Sequence, residues 1–362
     1  MKVDAMFLNL FRRGFIASSS VNGTPLDLEE TSEKAFRQQA SLPTANVNLQ
    51  LKLGDFSDEV DIREEDGMTA LARAAKGGNK EELDKLLAQG ADIETRNRYF
   101  WTPLLHAVRA GHITIIQTLL ERGADIGAED DMGSGPLHHA AFYKHPAIVD
   151  LLLPRTTDID RKNQSEKTAL HHAAELGCDC IVSALVAAGA GLEVKGTYGY
   201  TPLMWAIEWN YEKTVNLLLD LGADIETRDH DGMTPLIRAA EVGASSVVRL
   251  LLQRGANIHA SDGGGTTALL RAAFEDDEEL VELLLEAGAH IEAANNGGYT
   301  PLLAAADYGS KTVVTILLRA GANIAAETRS GDTVFSRAAK WGPEGAISLL
   351  YEWRDRERST AE

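Results

Sequence analysis

The feature that most constrains the fold is a repeat of 33 residues. A threonine marks the same position in eight copies, and Gly135 takes its place in the third copy: Thr69, Thr102, Thr168, Thr201, Thr234, Thr267, Thr300 and Thr333. A leucine, or Phe335 in the last copy, follows two residues later, and an alanine stands three residues beyond it every time. Nine copies succeed one another without insertion or deletion. Such a period is typical of architectures in which each unit packs only against its neighbours.

One copy, residues 231–263, shows what each unit folds into. Thr234 is a helix N-cap, and Pro235 suits the first helical position, where no amide is needed. The narrow face formed by Leu236, Ala239 and Ala240 lets neighbouring helices approach closely. A second, more apolar helix ends at Gly255, which supplies a left-handed residue. Two helices this short cannot bury their apolar faces alone, so the copies are expected to stack into an elongated solenoid.

The chain resembles the ankyrin repeat family. Its T-P-L-H-x-A pattern is nearly met by GPLHHAA at 135–141 and TALHHAA at 168–174, and a GADI or GANI turn recurs at 90, 123, 222, 255 and 321. The resemblance implies an all-α solenoid of stacked helix-turn-helix units with β-hairpin-like connecting turns. The nine repeats are expected at 66–98, 99–131, 132–164, 165–197, 198–230, 231–263, 264–296, 297–329 and 330–353.

Departures from the pattern lie in the third copy and at the chain ends. Gly135 replaces the capping threonine, RTTD replaces the glycine turn and Pro154 closes the helix early, so this repeat is expected to be the least stable link. Residues 1–44 are expected to be a flexible N-terminal region, and 45–65 a degenerate capping segment. The charged end of the ninth copy suits a terminal cap, followed by a charged tail at 354–362.

Composition narrows the function classes. With 35 Lys and Arg against 54 Asp and Glu, the net charge of −19 repels nucleic-acid phosphates and anionic lipid. No apolar run reaches the roughly 20 residues that a membrane-spanning helix needs. The two cysteines, Cys178 and Cys180, are too close for an ordinary disulfide, which predicts reduced thiols in the cytoplasm, the nucleus or both. A redox-sensing thiol and an inert one both remain open.

Histidines raise the question of metal binding. His138–His139 and His171–His172 form two pairs, with His106 in the matching register. The resemblance implies that His138 and His171 are structural and hydrogen-bond to neighbouring backbone. No acidic or thiol partner shares the register, so we expect no metal site and no cofactor. No phosphate-binding loop or nucleophile motif is present, and we expect neither an enzyme nor a small-molecule substrate.

Positions that vary between copies are candidates for partner binding. The residue before the constant alanine is never acidic, and it includes His139, His172, Trp205, Arg238 and Arg271. The resemblance places this position and the hairpin tips on the concave face. Four residues further along, Tyr143 and Trp209 occupy a second variable position, and Tyr198 and Tyr200 lie at a nearby tip. Aromatic residues and arginine are the usual anchors of protein interfaces. Structural packing and intrahelical ion pairs remain the competing interpretation.

These observations predict a monomeric, non-enzymatic interaction module that binds an acidic or apolar segment of a partner protein through its concave face. Two roles remain open within this class, a scaffold or adaptor and a transcription coregulator. A different class is also open, a fragment of a larger multidomain protein whose effector domain lies elsewhere. The sequence does not discriminate between these roles.

Overall fold

In the computed structural model, residues 61, 67–341 and 346–361 are described, and all of them lie in one compact unit, residues 57–362. Apart from Asp61, the predicted flexible region 1–44 and capping segment 45–65 lie outside the described residues. The described part contains 18 α-helices and no extended strand, so the predicted all-α class is confirmed. None of these helices is both long and apolar enough to cross a bilayer.

The helices come in pairs, one pair in each 33-residue copy. In chain order they are α1 Ala70–Gly77, α2 Lys80–Ala88, α3 Pro103–Ala110, α4 Ile113–Glu121, α5 Pro136–Phe142, α6 Pro146–Leu152, α7 Ala169–Glu175, α8 Asp179–Ala187, α9 Pro202–Glu208, α10 Glu212–Asp220, α11 Pro235–Glu241, α12 Ser245–Gln253, α13 Ala268–Phe274, α14 Glu278–Glu286, α15 Pro301–Tyr308, α16 Lys311–Arg319, α17 Val334–Ala338 and α18 Ile347–Ala361. Short 3₁₀ turns occur at Leu153–Arg155, Thr197–Gly199 and Ala339–Trp341.

The grid threonines start the first helices as the sequence predicts. Thr234 Oγ1 accepts a hydrogen bond from the Ile237 amide at 3.4 Å, and Thr102 Oγ1 accepts one from Leu105 at 3.3 Å. Each bond satisfies an amide that has no partner within its helix. Thr201 is an exception, because its buried hydroxyl makes no hydrogen bond.

Stacking of the pairs produces one continuous core. The first helix of each repeat packs against the first helices of the adjacent repeats, and most of the second helices pack against their neighbours in the same way. The constant leucine and alanine, represented by Leu236 and Ala239, are almost fully buried in this core. Small side chains on the first helices allow their close approach. The core therefore runs from repeat to repeat, as the period predicts.

The turns between repeats form hairpin-like tips that are bonded in series. Backbone amides of one tip donate to carbonyl oxygens of the preceding tip, as in His230 to Tyr198 at 3.0 Å and Gly263 to Asp231 at 2.9 Å. Isolated antiparallel bridges, Ser261 with Thr267 and Glu327 with Thr333, close two tips at their base. The tips therefore form a continuous edge beside the first helices.

The irregular copies differ as their sequences indicate. In the third repeat α6 has seven residues, whereas the other second helices of the interior repeats have nine, and it runs into the 3₁₀ turn that contains Pro154. Residues 354–361, predicted as a charged tail, continue α18. The third repeat therefore contains less regular backbone bonding than its neighbours.

Restoring the missing cap tests the third repeat. Gly135 has an extended backbone (φ −93°, ψ −178°), and an added Cβ would meet the Ala128 carbonyl oxygen at 3.5 Å and His138 Nδ1 at 4.0 Å, both ordinary contacts. We expect Gly135→Thr to raise the free energy of unfolding by about 0.5–1 kcal/mol, because the substitution adds a cap and restricts the unfolded chain. Urea denaturation measures the change, and Gly135→Ala separates the entropic part. A Thr variant less stable than wild type would contradict this account.

Candidate functional site

Nine residues predicted to contact a partner differ widely in exposure. Tyr198 and Trp209 are exposed (46% and 36%), while Trp205, Tyr143 and Arg271 are half-buried. The other four are buried: Tyr200, His139, His172 and Arg238. Their side chains contact this chain rather than solvent, and direct contact of these four residues with a partner stays a prediction.

The buried residues belong to a connection between each tip and the helix that follows it. An Asp or Asn stands nine residues before the variable position. One of its side-chain oxygens accepts hydrogen bonds from two backbone amides of the tip. Asp229, which ends the fifth repeat, uses Oδ1 to accept from the amides of Asp231 at 3.0 Å and Met233 at 2.9 Å in the sixth repeat. The same side chain then bonds to Arg238 on α11 at 2.6 Å. We call this arrangement the turn–helix lock.

The lock recurs in five of the described repeats. Its pairs are Asn97–His106 at 3.4 Å, Asp130–His139 at 2.9 Å, Asn163–His172 at 3.4 Å, Asp229–Arg238 at 2.6 Å and Asp262–Arg271 at 3.3 Å. In the three locks built on Asp, a carboxylate at the variable position would face the Asp carboxylate, which explains why these copies have no acidic residue there. In the two locks built on Asn, the Asn Nδ2 faces the His Nε2.

Ion pairs neutralise Arg238 and Arg271, two of the arginines at the variable position. Arg238 donates to Asp229 and to Glu241, and Arg271 donates to Asp262 and lies 4.0 Å from Glu241. Burial alone would lower the pKa of Arg238, but the carboxylates of Glu241 and Asp229 outweigh burial and raise it. Arg238 and Glu241, three residues apart on α11, form an intrahelical ion pair of the kind that the competing interpretation expects. The arginines are therefore already paired with carboxylates of this chain.

The fifth repeat has no lock. Gly196 stands where the five repeats with a lock have Asp or Asn, and an added Cβ there would lie 3.2 Å from His171 Nε2 and 3.1 Å from the Glu166 carbonyl oxygen. Trp205 occupies the position of the helix partner, and its buried Nε1 makes no hydrogen bond. A buried polar group without a partner destabilises the fold, so this repeat departs from the pattern at a cost in stability.

Ring contacts hold Trp205 in place. The Lys167 ammonium lies 3.7 Å from the centre of the Trp205 ring, and Tyr200 packs edge-on to it at 5.3 Å. Lys167 also donates to Glu175 at 2.7 Å. Burial would raise the pKa of Glu175, but His172 and Lys167 lower it to about 2. Tyr200 in turn lies under the Arg238 guanidinium at 4.7 Å. Trp205 is therefore held by Tyr200 and by Lys167, and the charge of Lys167 is neutralised by Glu175.

Trp209 and Tyr198 are two exposed aromatic residues of the same repeat. Trp209 is the residue that ends α9, and the next residue, Asn210, is left-handed (φ 56°). Tyr198 also has a left-handed backbone (φ 62°), at the tip, with its ring 5.8 Å from Tyr200. We call Tyr198, Trp205 and Trp209 the repeat-five patch.

A second aromatic cluster lies in repeats two and three. The Arg109 guanidinium lies 5.3 Å from the Trp101 ring and 5.2 Å from the Tyr143 ring. His139 contacts the same two rings, at 4.6 Å and 6.1 Å. His139 and Tyr143 thus belong with Trp101 and not with the repeat-five patch. Sequence reasoning missed Arg109, Lys167 and Glu175, since only their spatial neighbours reveal them.

The tip of the second repeat carries an unusual residue, Phe100. Seven of the nine repeats have a left-handed glycine at this position, and Phe100 (φ 62°) and Glu166 (φ 54°) replace it in the other two. A side chain in this conformation costs about 1 kcal/mol or more. Phe100 is also 53% exposed, so burial offsets little of that cost.

His138 and His171 have structural roles, as the resemblance implies. His138 Nε2 bonds to the Arg161 carbonyl oxygen at 2.9 Å, and His171 Nε2 bonds to that of Tyr200 at 3.1 Å. Their Nδ1 atoms accept from the amides of Gly135 and Thr168. Burial lowers the pKa of His138 from 6.5 to about 3, and that of His171 to about 4. Among the described residues, no three His, Cys, Asp or Glu side chains converge as a metal site requires.

The cysteines differ in exposure. Cys180 is exposed, whereas Cys178 is partly buried and its pKa is raised by burial. A raised pKa reduces the reactive thiolate fraction, which favours the inert interpretation for Cys178.

Comparison with known proteins identifies the family. The sequence matches the family model described as ankyrin repeats (3 copies) over residues 41–130, 137–229, 225–295 and 269–357. The chain belongs to the ankyrin repeat family. Among solved structures it is similar to the ankyrin repeat domain of Bcl-3, described as a unique member of the IkappaB protein family, with 30% identity and a TM-score of 0.55 over 60% of this chain and 99% of that chain. No curated protein matches the sequence. Ankyrin repeats are protein–protein interaction modules.

The buried histidines make the ankyrin stack sensitive to acid. Their pKa values are lower in the folded state than in the unfolded state, so below pH 6.5 the unfolded chain binds more protons. Stability is therefore independent of these groups above pH 6.5 and is lost as the pH falls towards 4. We expect each histidine to lower the free energy of unfolding by about 2 kcal/mol between pH 7 and pH 5.

Urea titrations at pH 7 and pH 5 measure this loss for wild type, His138→Gln, His171→Gln and the exposed-site control His259→Gln. Each buried-site variant should be less stable at pH 7 and should lose less stability on acidification, whereas the control should follow wild type. Equal losses in all four proteins would contradict the assignment.

Phe100 yields a prediction about backbone strain. We expect Phe100→Gly to raise the free energy of unfolding by up to about 1 kcal/mol, because glycine adopts the left-handed conformation without steric cost. Glu166→Gly is the matched control at the same repeat position and should be stabilised by a comparable amount. Thermal and urea unfolding measure both changes, and destabilisation by Phe100→Gly would show that the ring packs more than its exposure indicates.

Proposed function

We propose that this ankyrin chain is a non-enzymatic scaffold or adaptor that binds an apolar segment of a partner protein at the repeat-five patch. The observation that carries the proposal is the replacement of the turn–helix lock in the fifth repeat by aromatic residues. Gly196 and Trp205 stand where five repeats have a structural Asp or Asn and its partner, and the buried Trp205 Nε1 makes no hydrogen bond.

The patch has the composition and rigidity of an interface anchor. Tryptophan and tyrosine dominate the binding energy of protein interfaces, and they are most effective when they are held rigid before binding. Lys167 and Tyr200 hold Trp205, while Trp209 and Tyr198 present exposed rings beside it. A bound segment would bury these rings without the entropy cost of ordering them on binding.

Electrostatics narrow the chemistry of the partner segment. Sequence reasoning favours an acidic or an apolar segment, and the acidic alternative depends on Arg238 and Arg271. Because Asp229, Glu241 and Asp262 already pair with these arginines, little charge remains to attract a carboxylate. Glu208 and Glu212 also lie next to Trp209 in sequence. An apolar segment therefore fits this patch better.

A transcription coregulator is the second candidate. It is favoured by the 30% identity to the Bcl-3 ankyrin domain, 99% of which is covered by this chain. A nuclear or cytoplasmic location and a monomeric state fit both roles. Identification of the captured partners as transcription factors or as cytoplasmic complexes distinguishes the two.

Removal of the exposed tryptophan tests the proposed site. We expect Trp209→Ala to abolish capture of at least one specific partner from source-cell lysate, quantified by mass spectrometry, with little change in melting temperature, because the side chain is at the surface. Tyr308→Ala is the matched control, since Tyr308 occupies the same repeat position three repeats later and is 46% exposed. Retention of every partner by Trp209→Ala, or equal losses in both variants, would refute the repeat-five patch.

A further inference from the structure

The turns that follow the second helices are linked by a row of carboxylates. In each link, an Asp or Glu side chain accepts a hydrogen bond from a backbone amide 31 residues later, in the turn of the next repeat. The amides and their acceptors are Asp92 to Asp61 at 3.2 Å, Asp125 to Glu94 at 2.8 Å, Gly191 to Asp160 at 2.9 Å, Asp224 to Glu193 at 2.8 Å, Asn257 to Glu226 at 2.7 Å and Asn323 to Glu292 at 2.7 Å. We call this row the carboxylate ladder. Between residues 61 and 323, Gly127 and His259 stand at the two ladder positions that have neither Asp nor Glu.

A pair of histidines takes the place of the ladder bond between repeats six and seven. His259 stands at the position of the carboxylate, and His290 stands at the position whose amide donates in the other links. Their rings lie 4.5 Å apart, centre to centre, with planes tilted by 42°. Both residues are exposed, and the rings border a small cleft of about 50 Å³ that Ile258, Ala289 and Ala293 also line. These two turns therefore meet through an imidazole pair that is open to solvent.

The two rings differ from most other histidines in the use of their nitrogens. Seven of the ten histidines bond through a ring nitrogen to another group of the chain: His106, His112, His138, His139, His145, His171 and His172. Within the described residues, neither the His259 ring nor the His290 ring has a hydrogen bond or an ion pair. A neutral imidazole has one nitrogen lone pair that can bind a metal ion when no donor occupies it. Each of these two rings therefore has a nitrogen that is available to a ligand.

The separation of the rings fits one ion bound by both. An ion about 2.0–2.1 Å from each nitrogen, with the two nitrogens at right angles, places the ring centres roughly 4.5 Å apart. A tetrahedral ion such as Zn²⁺ places them roughly 5.2 Å apart. The observed separation of 4.5 Å therefore favours Ni²⁺ or Cu²⁺, which prefer tetragonal coordination.

Charge and ligand type also favour a divalent transition metal. Glu226 accepts the amide two residues before His259, and Glu292 stands two residues after His290, so carboxylates precede and follow the pair along the ladder. Mg²⁺ and Ca²⁺ prefer oxygen ligands, whereas imidazole suits the later transition metals. A closed structural site uses four protein ligands. With two imidazoles, the ion keeps water at its other positions and exchanges with solvent.

We propose that His259 and His290 together chelate a divalent transition-metal ion, Ni²⁺ or Cu²⁺ in preference to Zn²⁺, between repeats six and seven. The bound ion joins two turns at a place where the carboxylate ladder has no carboxylate, and so it stabilises the stack when it is present. This inference does not depend on the proposed function, because it concerns another surface and another kind of ligand.

Isothermal titration calorimetry of the full chain with NiCl₂ tests the inference. We expect one site in wild type, and affinity that falls roughly tenfold or more in His259→Gln and in His290→Gln, since even an outer-shell partner of a metal ligand is worth about 10–100-fold. His230→Gln is the matched control, because His230 is likewise exposed and should contribute nothing to the site. Trp209→Ala should also bind Ni²⁺ like wild type, so the inference and the proposed function can fail separately.

Urea unfolding with and without Ni²⁺ supplies a second measurement. An ion that binds the folded chain raises the unfolding midpoint, so Ni²⁺ should raise it in wild type and in His230→Gln and should have little effect in His259→Gln and His290→Gln. Without metal, all four proteins should have similar midpoints, which shows that lost binding does not come from lost folding. Equal Ni²⁺ affinity in wild type and in both ladder variants, or no measurable binding in wild type, would overturn the inference. Tighter binding of Zn²⁺ than of Ni²⁺ would overturn the proposed coordination.

Discussion

The turn–helix lock is the interaction on which the arrangement of this surface depends. One Asp or Asn side chain joins two backbone amides of a tip to the first helix that follows that tip, as Asp229 does with Arg238. Core packing fixes the spacing of the helices, and in the five repeats that have the lock, the lock fixes the direction of the tip relative to the helix. Since neighbouring tips are also hydrogen-bonded to each other, a lock in one repeat also restricts the position of the next tip.

Burial of the lock affects how mutations at these positions are interpreted. Arg238 is 3% exposed, and removal of its guanidinium would leave Asp229 buried without its cation, a change that typically costs several kcal/mol. A loss of binding in such a variant would report unfolding and not a lost contact. Surface residues such as Trp209 and Phe100 are free of this ambiguity, because their rings lie largely outside the core.

Sequence alone predicts the helices and the stack well. The grid threonine, the constant leucine and alanine and the glycine turns each demand one local structure, so Thr234 and Pro235 locate α11 directly. The exposure of the variable positions is harder to predict. Arg238 and Trp205 occupy equivalent positions, and their different roles depend on whether residue 229 or 196 supplies a side chain. The pairing of residues nine apart can be recognised in the sequence only after the structure shows which atoms meet. The Lys167–Trp205 contact does not recur at the repeat period, so the repeat pattern of the sequence does not reveal it.

Two aromatic surfaces lie where the repeats depart from their common sequence pattern. At the repeat-five patch a lost lock exposes rings whose neighbouring arginines are paired with carboxylates, which favours an apolar segment. At the tip of the second repeat, Phe100 replaces glycine and is 53% exposed. Each departure lowers stability locally, and a stack whose stability is close to a sum over neighbouring repeats can tolerate such losses in separate repeats. A regular repeat leaves no freedom for such side chains, so the positions that break the pattern are the ones on which a specific partner can act.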